Sequence, residues 1–154
     1  MRSLAAWCCL GVVACGGTDP ELDFPDVDTQ RFYEQVYPVL LADCGFPACH
    51  GSAERFFAVY GPGRTRLDPE TDIYAPATSR ELALSYSRAR SMLLGPEGPR
   101  RSPLLRKPLA ISAGGAAHEG DDPWGNAVIP NKRDPRYEAL FFWAIGNRSE
   151  EAPP

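Results

Sequence analysis

Recognisable catalytic machinery is missing from this chain. It has no Ser-His-Asp arrangement, no phosphate-binding loop and no paired-carboxylate signature, so nothing in it marks an enzyme in its own right. Positive charge is not in excess. Sixteen Lys and Arg face 20 Asp and Glu, and the net charge of −4 argues against a general nucleic-acid binder. The apolar run at the start, Leu4 to Val13, is interrupted by Gly11 and is too short to stay in a bilayer as a spanning helix. Histidine is reduced to His50 and His118, and methionine to Met1 and Met92. No internal repeat is visible.

The short apolar run has another reading. Arg2 gives it a positive start, and residues 1–14 together have the form of an export signal. It closes with Val12-Val13-Ala14-Cys15-Gly16, which resembles the lipobox of bacterial lipoproteins. An ordinary secretory signal with an incidental cysteine is the alternative. The resemblance implies cleavage before Cys15 and a multi-chain lipid on its sulfur, since one acyl chain alone holds only marginally. Position 16 is Gly, not the Asp that resembles an inner-membrane retention signal. The expected location is therefore the cell envelope, at the outer membrane facing the periplasm, with the membrane reached through the lipid. Residues 15–28 carry five carboxylates and no base, which predicts a solvated acidic tether. One domain is expected over 29–148, and a disordered tail over 149–154.

Cysteine arithmetic follows from that start. Cys8 and Cys9 leave with the signal and Cys15 takes the lipid, so of five cysteines only Cys44 and Cys49 remain. Exported thiols seldom stay free, which leaves a disulfide, a metal site or cofactor anchors.

The chain also holds 16 prolines and 14 glycines, so much of it must be loop, and a small loop-rich domain commonly needs a staple. Three helices are predicted. The first starts at Asp28 or Thr29, either a good cap, places Phe32, Val36, Val39 and Leu40 on one side, and delivers the chain to Cys44. Pro38 should kink or divide it. The second carries a capping box, Thr78 with Glu81, and an apolar stripe of Leu82, Tyr86, Ala89 and Leu93 before Gly95-Pro96. The third begins at Asp134-Pro135 and runs through Tyr137, Leu140, Phe141, Ala144 and Ile145 to Gly146. Residues 51–77 and 95–133 show no sustained period, with short strands weighed near Phe56 to Tyr60. The expected class is mainly α, three or more helices with long loops.

Cys44-Gly-Phe-Pro-Ala-Cys49-His50-Gly51 carries the chemistry. Two thiols followed at once by an imidazole suit covalent haem attachment: the thiols add to the vinyl groups and the adjacent histidine binds the iron. The spacing is C-x4-C-H, wider than C-x-x-C-H. A Cys44–Cys49 disulfide is the other reading, since Gly45 and Pro47 permit the turn. His118 follows the slender Ala113-Gly114-Gly115-Ala116-Ala117, a stretch whose backbone can approach a flat ring closely. It is the preferred second axial ligand, with Met92 as the alternative. Zinc held by Cys44, Cys49, His50 and His118 is a third reading.

In order along residues 30–147 the chain resembles c-type cytochrome domains, more narrowly the single-haem cytochrome-like lipoproteins of myxobacteria and planctomycetes. The resemblance rests on Phe32, Val36, Pro38, Leu40 and Cys44, then Cys49-His50-Gly51. It continues through Ser102, Leu104, Leu105, Lys107 and Pro108, then His118-Glu119-Gly120, and ends on Tyr137, Leu140, Trp143, Ile145 and Gly146. It implies a small cytochrome c-like domain whose loops wrap one covalent haem c, iron held by His50, one-electron transfer as function, and a redox partner protein in the envelope. A haem-free envelope lipoprotein with a Cys44–Cys49 disulfide, acting as a binding or structural module, is the alternative.

Other residues stay open at this point. Arg80, Arg88, Arg90, Arg100, Arg101, Arg106 and Lys107 outnumber the acids around them. They suit a docking surface for an acidic redox partner, partners for haem propionates (Arg106 or Lys107), or a solvated helix face. Trp124, Trp143, Tyr137, Phe56 and Phe57 suit a haem pocket or plain core, with Trp143 placed to join the third helix to the first.

Overall fold

Asp28 opens the first helical run, its side chain accepting from the Arg31 N–H at 2.8 Å. The structure is a computed structural model that describes residues 24–118 and 126–146. The export signal, Cys15, most of the acidic tether, Glu119 to Trp124 and the tail lie outside the described residues. No helix among the described residues is long and apolar enough to cross a membrane.

The first run is continuous from Thr29 to Cys44 but not uniformly α-helical. It alternates α1 (Thr29–Arg31), a π-helical segment (Phe32–Val36), α2 (Tyr37–Val39) and a second π-helical segment (Leu40–Cys44). Pro38 accounts for the alternation. It lacks the N–H that an α-helix would give to the carbonyl four residues back, and the ladder widens around it instead of breaking. Tyr37 N–H accordingly reaches the Phe32 carbonyl. The run ends at Cys44 and buries Phe32, Val36, Tyr37 and Leu40.

The second predicted helix is α3 (Ser79–Ser91), with the reciprocal Thr78–Glu81 capping box in place. Glu81 does more than cap. Its carboxylate is buried and pairs with Arg66, whose Nη2 lies 2.8 Å away. Burial alone would raise its pKa, but the Arg66 guanidinium and the Leu67 and Thr78 N–H groups outweigh that and hold it at about 2. Arg66 also donates to the carbonyls of Asp72, Ala75 and Pro76, so one guanidinium ties the 61–77 loop to α3.

A short helix absent from the sequence reading, α4 (Pro103–Arg106), buries Leu104 and Leu105. It is followed by a 3-10 turn, Ile111–Ala113. The last helix, α5 (Pro135–Ala144), is capped by Asp134 and closed by Gly146 at φ +73°. Trp143 joins it to the first run as expected: its ring centre is 5.2 Å from that of Phe32, and its Nε1–H donates to the Asp28 carbonyl at 2.9 Å. Tyr86 of α3 closes the same aromatic cluster, 5.3 Å from Phe32. The core therefore sits between the first run, α3 and α5.

The strand weighed near Phe56 to Tyr60 does not form. Ala58, Val59 and Tyr60 are buried, but their hydrogen bonds go elsewhere. Val59 N–H donates to the His50 carbonyl (2.7 Å), and the Tyr60 carbonyl accepts from the Tyr37 hydroxyl (2.7 Å). Among the described residues the one β contact is a parallel bridge between Leu109 and Ile129. The late basic residues are spent on separate tasks. Arg88 donates to the Arg55 and Phe56 carbonyls, Arg90 to those of Pro25 and Phe24, and Arg101 pairs with Glu97.

Candidate functional site

The Cys44–Gly51 segment folds into a tight loop at the end of the first run. His50 N–H donates back to the Cys44 carbonyl (3.0 Å), and Cys49 and Gly51 N–H both donate to the Phe46 carbonyl (2.8 Å each). The loop closes so sharply that a Cβ on Gly51 would overlap the Gly45 carbonyl oxygen. Arg64 fixes it from outside. Its guanidinium donates to the Leu41 and Ala42 carbonyls at 3.0 Å each, satisfying the open end of the helical run, and lies 4.0 Å over the Phe46 ring.

This loop aims the imidazole of His50. Its Nδ1 sits 2.9 Å from the Phe57 carbonyl. A carbonyl only accepts, so Nδ1 carries the proton and Nε2 keeps its lone pair. Burial pushes the pKa below the usual histidine value, the Phe57 hydrogen bond opposing it and His118 and Arg55 adding to it. A neutral imidazole with an oriented Nε2 is what a metal requires.

His118 is brought to the same place by its glycine-rich lead-in. Gly115 N–H donates to the Ala110 carbonyl (3.0 Å) and Ala116 N–H to the Arg106 carbonyl (2.8 Å). A Cβ at Gly115 would overlap the Leu109 carbonyl oxygen, and Gly114 has φ +94°. The close backbone approach that the glycines license is thus to residues 106–110, with Lys107 Nζ donating to the Ala117 carbonyl at 3.1 Å. The outcome is that the His50 and His118 rings lie 5.8 Å apart, centre to centre, with planes 13° from parallel. One metal ion held between two imidazole nitrogens at about 2.0–2.1 Å each places the ring centres roughly 6 Å apart.

Beside the two imidazoles lies a largely apolar cavity. Val39 and Leu40 of the first run, Leu140 of α5 and Leu104 of α4 form its walls, with Pro103, Val128 and Ile129. Cys44, Cys49, His50 and His118 all face it, as does Met92. Phe57 lines it too, whereas Tyr137 and Trp143 belong to the core and Phe56 is exposed. Both thiols are free, with no bond between them. Burial, with Asp43 and Cys49 nearby, pushes the Cys44 thiol up to about 12, so that sulfur is protonated at neutral pH.

The donor set decides which group fits. Among the described residues no cluster of three or more His, Cys, Asp or Glu side chains is arranged around one metal ion, so the tetrahedral zinc reading has no support. A haem asks a chain for an imidazole at the iron and thiols at the ring edge, and His50, His118, Cys44 and Cys49 all face this cavity. The residues present fit a haem, with two thiols in its cavity.

Several positioning residues escaped the sequence reading: Arg64 behind the loop, the Phe57 carbonyl behind His50, and Arg66 with Glu81. Their partners are 15 to 23 positions distant or lie on main-chain atoms, so no local spacing announces them. Compared with family models, with curated proteins and with solved structures, the chain matches none.

Proposed function

We propose that this chain is a monohaem c-type cytochrome-like electron carrier, exported and held at the envelope by a lipid on Cys15. The single observation that carries the reading is the pair of near-parallel imidazoles 5.8 Å apart, opening on an apolar cavity that two free thiols also face. When bound, haem supplies a one-electron ferrous–ferric couple.

The chain's own part is to hold and tune. Cys44 and Cys49 anchor the ring edge. The attachment loop and the Phe57 carbonyl fix the orientation of His50. The strap from Gly114 to Ala117 sets His118 opposite, and the apolar walls exclude water from the faces of the ring. Histidine on both sides favours a lower potential than a histidine–methionine pair would, and Met92 on the cavity wall is the comparison the structure provides. An envelope redox protein is the proposed partner class.

The test is to purify the protein from a host with haem-maturation machinery and record the reduced spectrum of a denatured sample. The expected result is sharp visible bands that acid–acetone does not extract and that Cys44→Ser/Cys49→Ser abolishes. A colourless, well-folded protein two hydrogens lighter would replace this reading with the disulfide-bonded module.

A further inference from the structure

The first helical run repeats every fourth residue, an interval that an α-helix does not keep. Phe32, Val36 and Leu40 are fully buried. Cys44, the next position in that row, packs against the same core and lines the cavity. The opposite row, Glu34, Pro38 and Ala42, is exposed. At about 100° per residue, each step of four in an α-helix overshoots the turn by about 40°. A straight α-helix would therefore carry Cys44 roughly 120° around the axis from Phe32.

The two π-helical segments, Phe32–Val36 and Leu40–Cys44, remove that drift. Bonding from one residue to the fifth beyond, as from the Tyr37 N–H to the Phe32 carbonyl, closes more residues into each turn. The second segment ends at Cys44 itself, and Val39 and Asp43, also four apart, line the cavity beside Leu40 and Cys44. Pro38 stands between the two segments. Its side chain is exposed and takes no part in the core. What it contributes is a missing N–H, which deprives the Glu34 carbonyl of its α-helical donor.

From this winding we infer that Pro38 is a positioning residue for the covalent anchor: it holds the run wider than an α-helix and so turns the Cys44 thiol into the cavity. The inference rests on the electron-carrier reading and adds the device that serves one of its two thioether bonds. In that bond the sulfur joins one carbon of a vinyl group and the thiol hydrogen goes to the other. No oxidant or reductant is consumed. Cys49 lies beyond the run, on the loop whose N–H groups gather on the Phe46 carbonyl, so its bond does not depend on the winding.

The test is Pro38→Ala, matured in the same host as the wild type and compared with Cys44→Ser. Alanine restores the N–H and is the best helix former, so the run returns to α-helical winding and Cys44 turns away from the ring. The expected product holds haem through Cys49 alone. Iodoacetamide then labels Cys44 in the denatured protein, read by mass spectrometry, where the wild type takes no label. The reduced visible band moves to longer wavelength, as in Cys44→Ser, because one vinyl group stays conjugated. The urea midpoint should be no lower than that of Cys44→Ser, which a merely structural loss would not give. Two thioether bonds in Pro38→Ala, with Cys44 unlabelled and the wild-type band, would overturn the inference and leave the carrier reading standing. Loss of both bonds, or a lower midpoint, would trace the effect to the fold and overturn it as well. A wild-type preparation without covalent haem would overturn the carrier reading and this inference with it.

Discussion

Breaking the Arg66–Glu81 pair should destabilise the whole molecule although neither side chain touches the candidate site. The carboxylate accepts from Arg66 Nε and Nη2 (2.9 and 2.8 Å), Leu67 N–H (3.0 Å), Thr78 N–H (2.9 Å) and Thr78 Oγ1 (3.2 Å). Side-chain exposure is 4% for Arg66 and 1% for Glu81, so water does not replace a lost partner. Removing one member of a buried pair costs about 3–5 kcal/mol, because the other charge is left uncompensated. Domains of this kind have only about 5–15 kcal/mol in total. Arg66→Met and Glu81→Met should each lose about 3–5 kcal/mol, measured by urea unfolding of the matured protein with far-UV circular dichroism. The double variant should be no worse than the worse single, since no lone charge remains. The pH dependence has a definite sign. The carboxyl lies at about 2 against an ordinary 4.5, so its stabilisation is complete above 4.5 and is lost as pH falls towards 2. Glu81→Met should lack that component. Singles within about 0.5 kcal/mol of wild type, the range of neutral surface changes, or strictly additive losses would refute the reasoning.

Two further outcomes concern the ligands. His118→Ala should turn the ferric spectrum from low-spin to high-spin while the covalent bands and the fold persist; an unchanged low-spin spectrum, abolished only in His118→Ala/Met92→Ala, would give the second axial position to Met92. Gly115→Ala introduces a Cβ that overlaps the Leu109 carbonyl oxygen, and should cost about 1–3 kcal/mol and convert part of the sample to the high-spin form. Wild-type stability and spectrum together would show that the strap does not position His118.

What was legible in the sequence was whatever depends on near neighbours. Thr78 and Glu81 are three positions apart, and Asp134-Pro135 are adjacent, so α3 and α5 were readable with their caps. The motif loop was readable because Cys49, His50 and Gly51 are consecutive. Illegible elements have remote causes. α4 is four residues long, about one turn, so no apolar repeat can build up along it. The π-helical widening around Pro38 follows from packing that preserves the run despite the missing N–H. At Phe56 to Tyr60 an aromatic, β-branched composition resembles a strand, yet the backbone is bound by His50 and Tyr37. Arg66 reads as one more surface base until Glu81, 15 positions away, is placed beside it.

How the long loops are held changes how these variants are interpreted. Guanidinium groups bind their main-chain carbonyls: Arg64 on Leu41 and Ala42, Arg66 on Asp72, Ala75 and Pro76, Arg88 on Arg55 and Phe56, Arg90 on Pro25 and Phe24. Each such bond is charge-assisted, and one planar group satisfies up to three carbonyls that a loop would otherwise leave open. The apolar core lies between the first helical run, α3 and α5, and the cavity is at its edge, bounded on one side by Leu40 and Leu140. Stability and the proposed ligation therefore rest on different residues. Substitutions at His118 should register in the spectrum before they register in unfolding, and substitutions at Arg66 in the reverse order. That separation is what makes the two histidines testable as ligands without ambiguity from a collapsed fold.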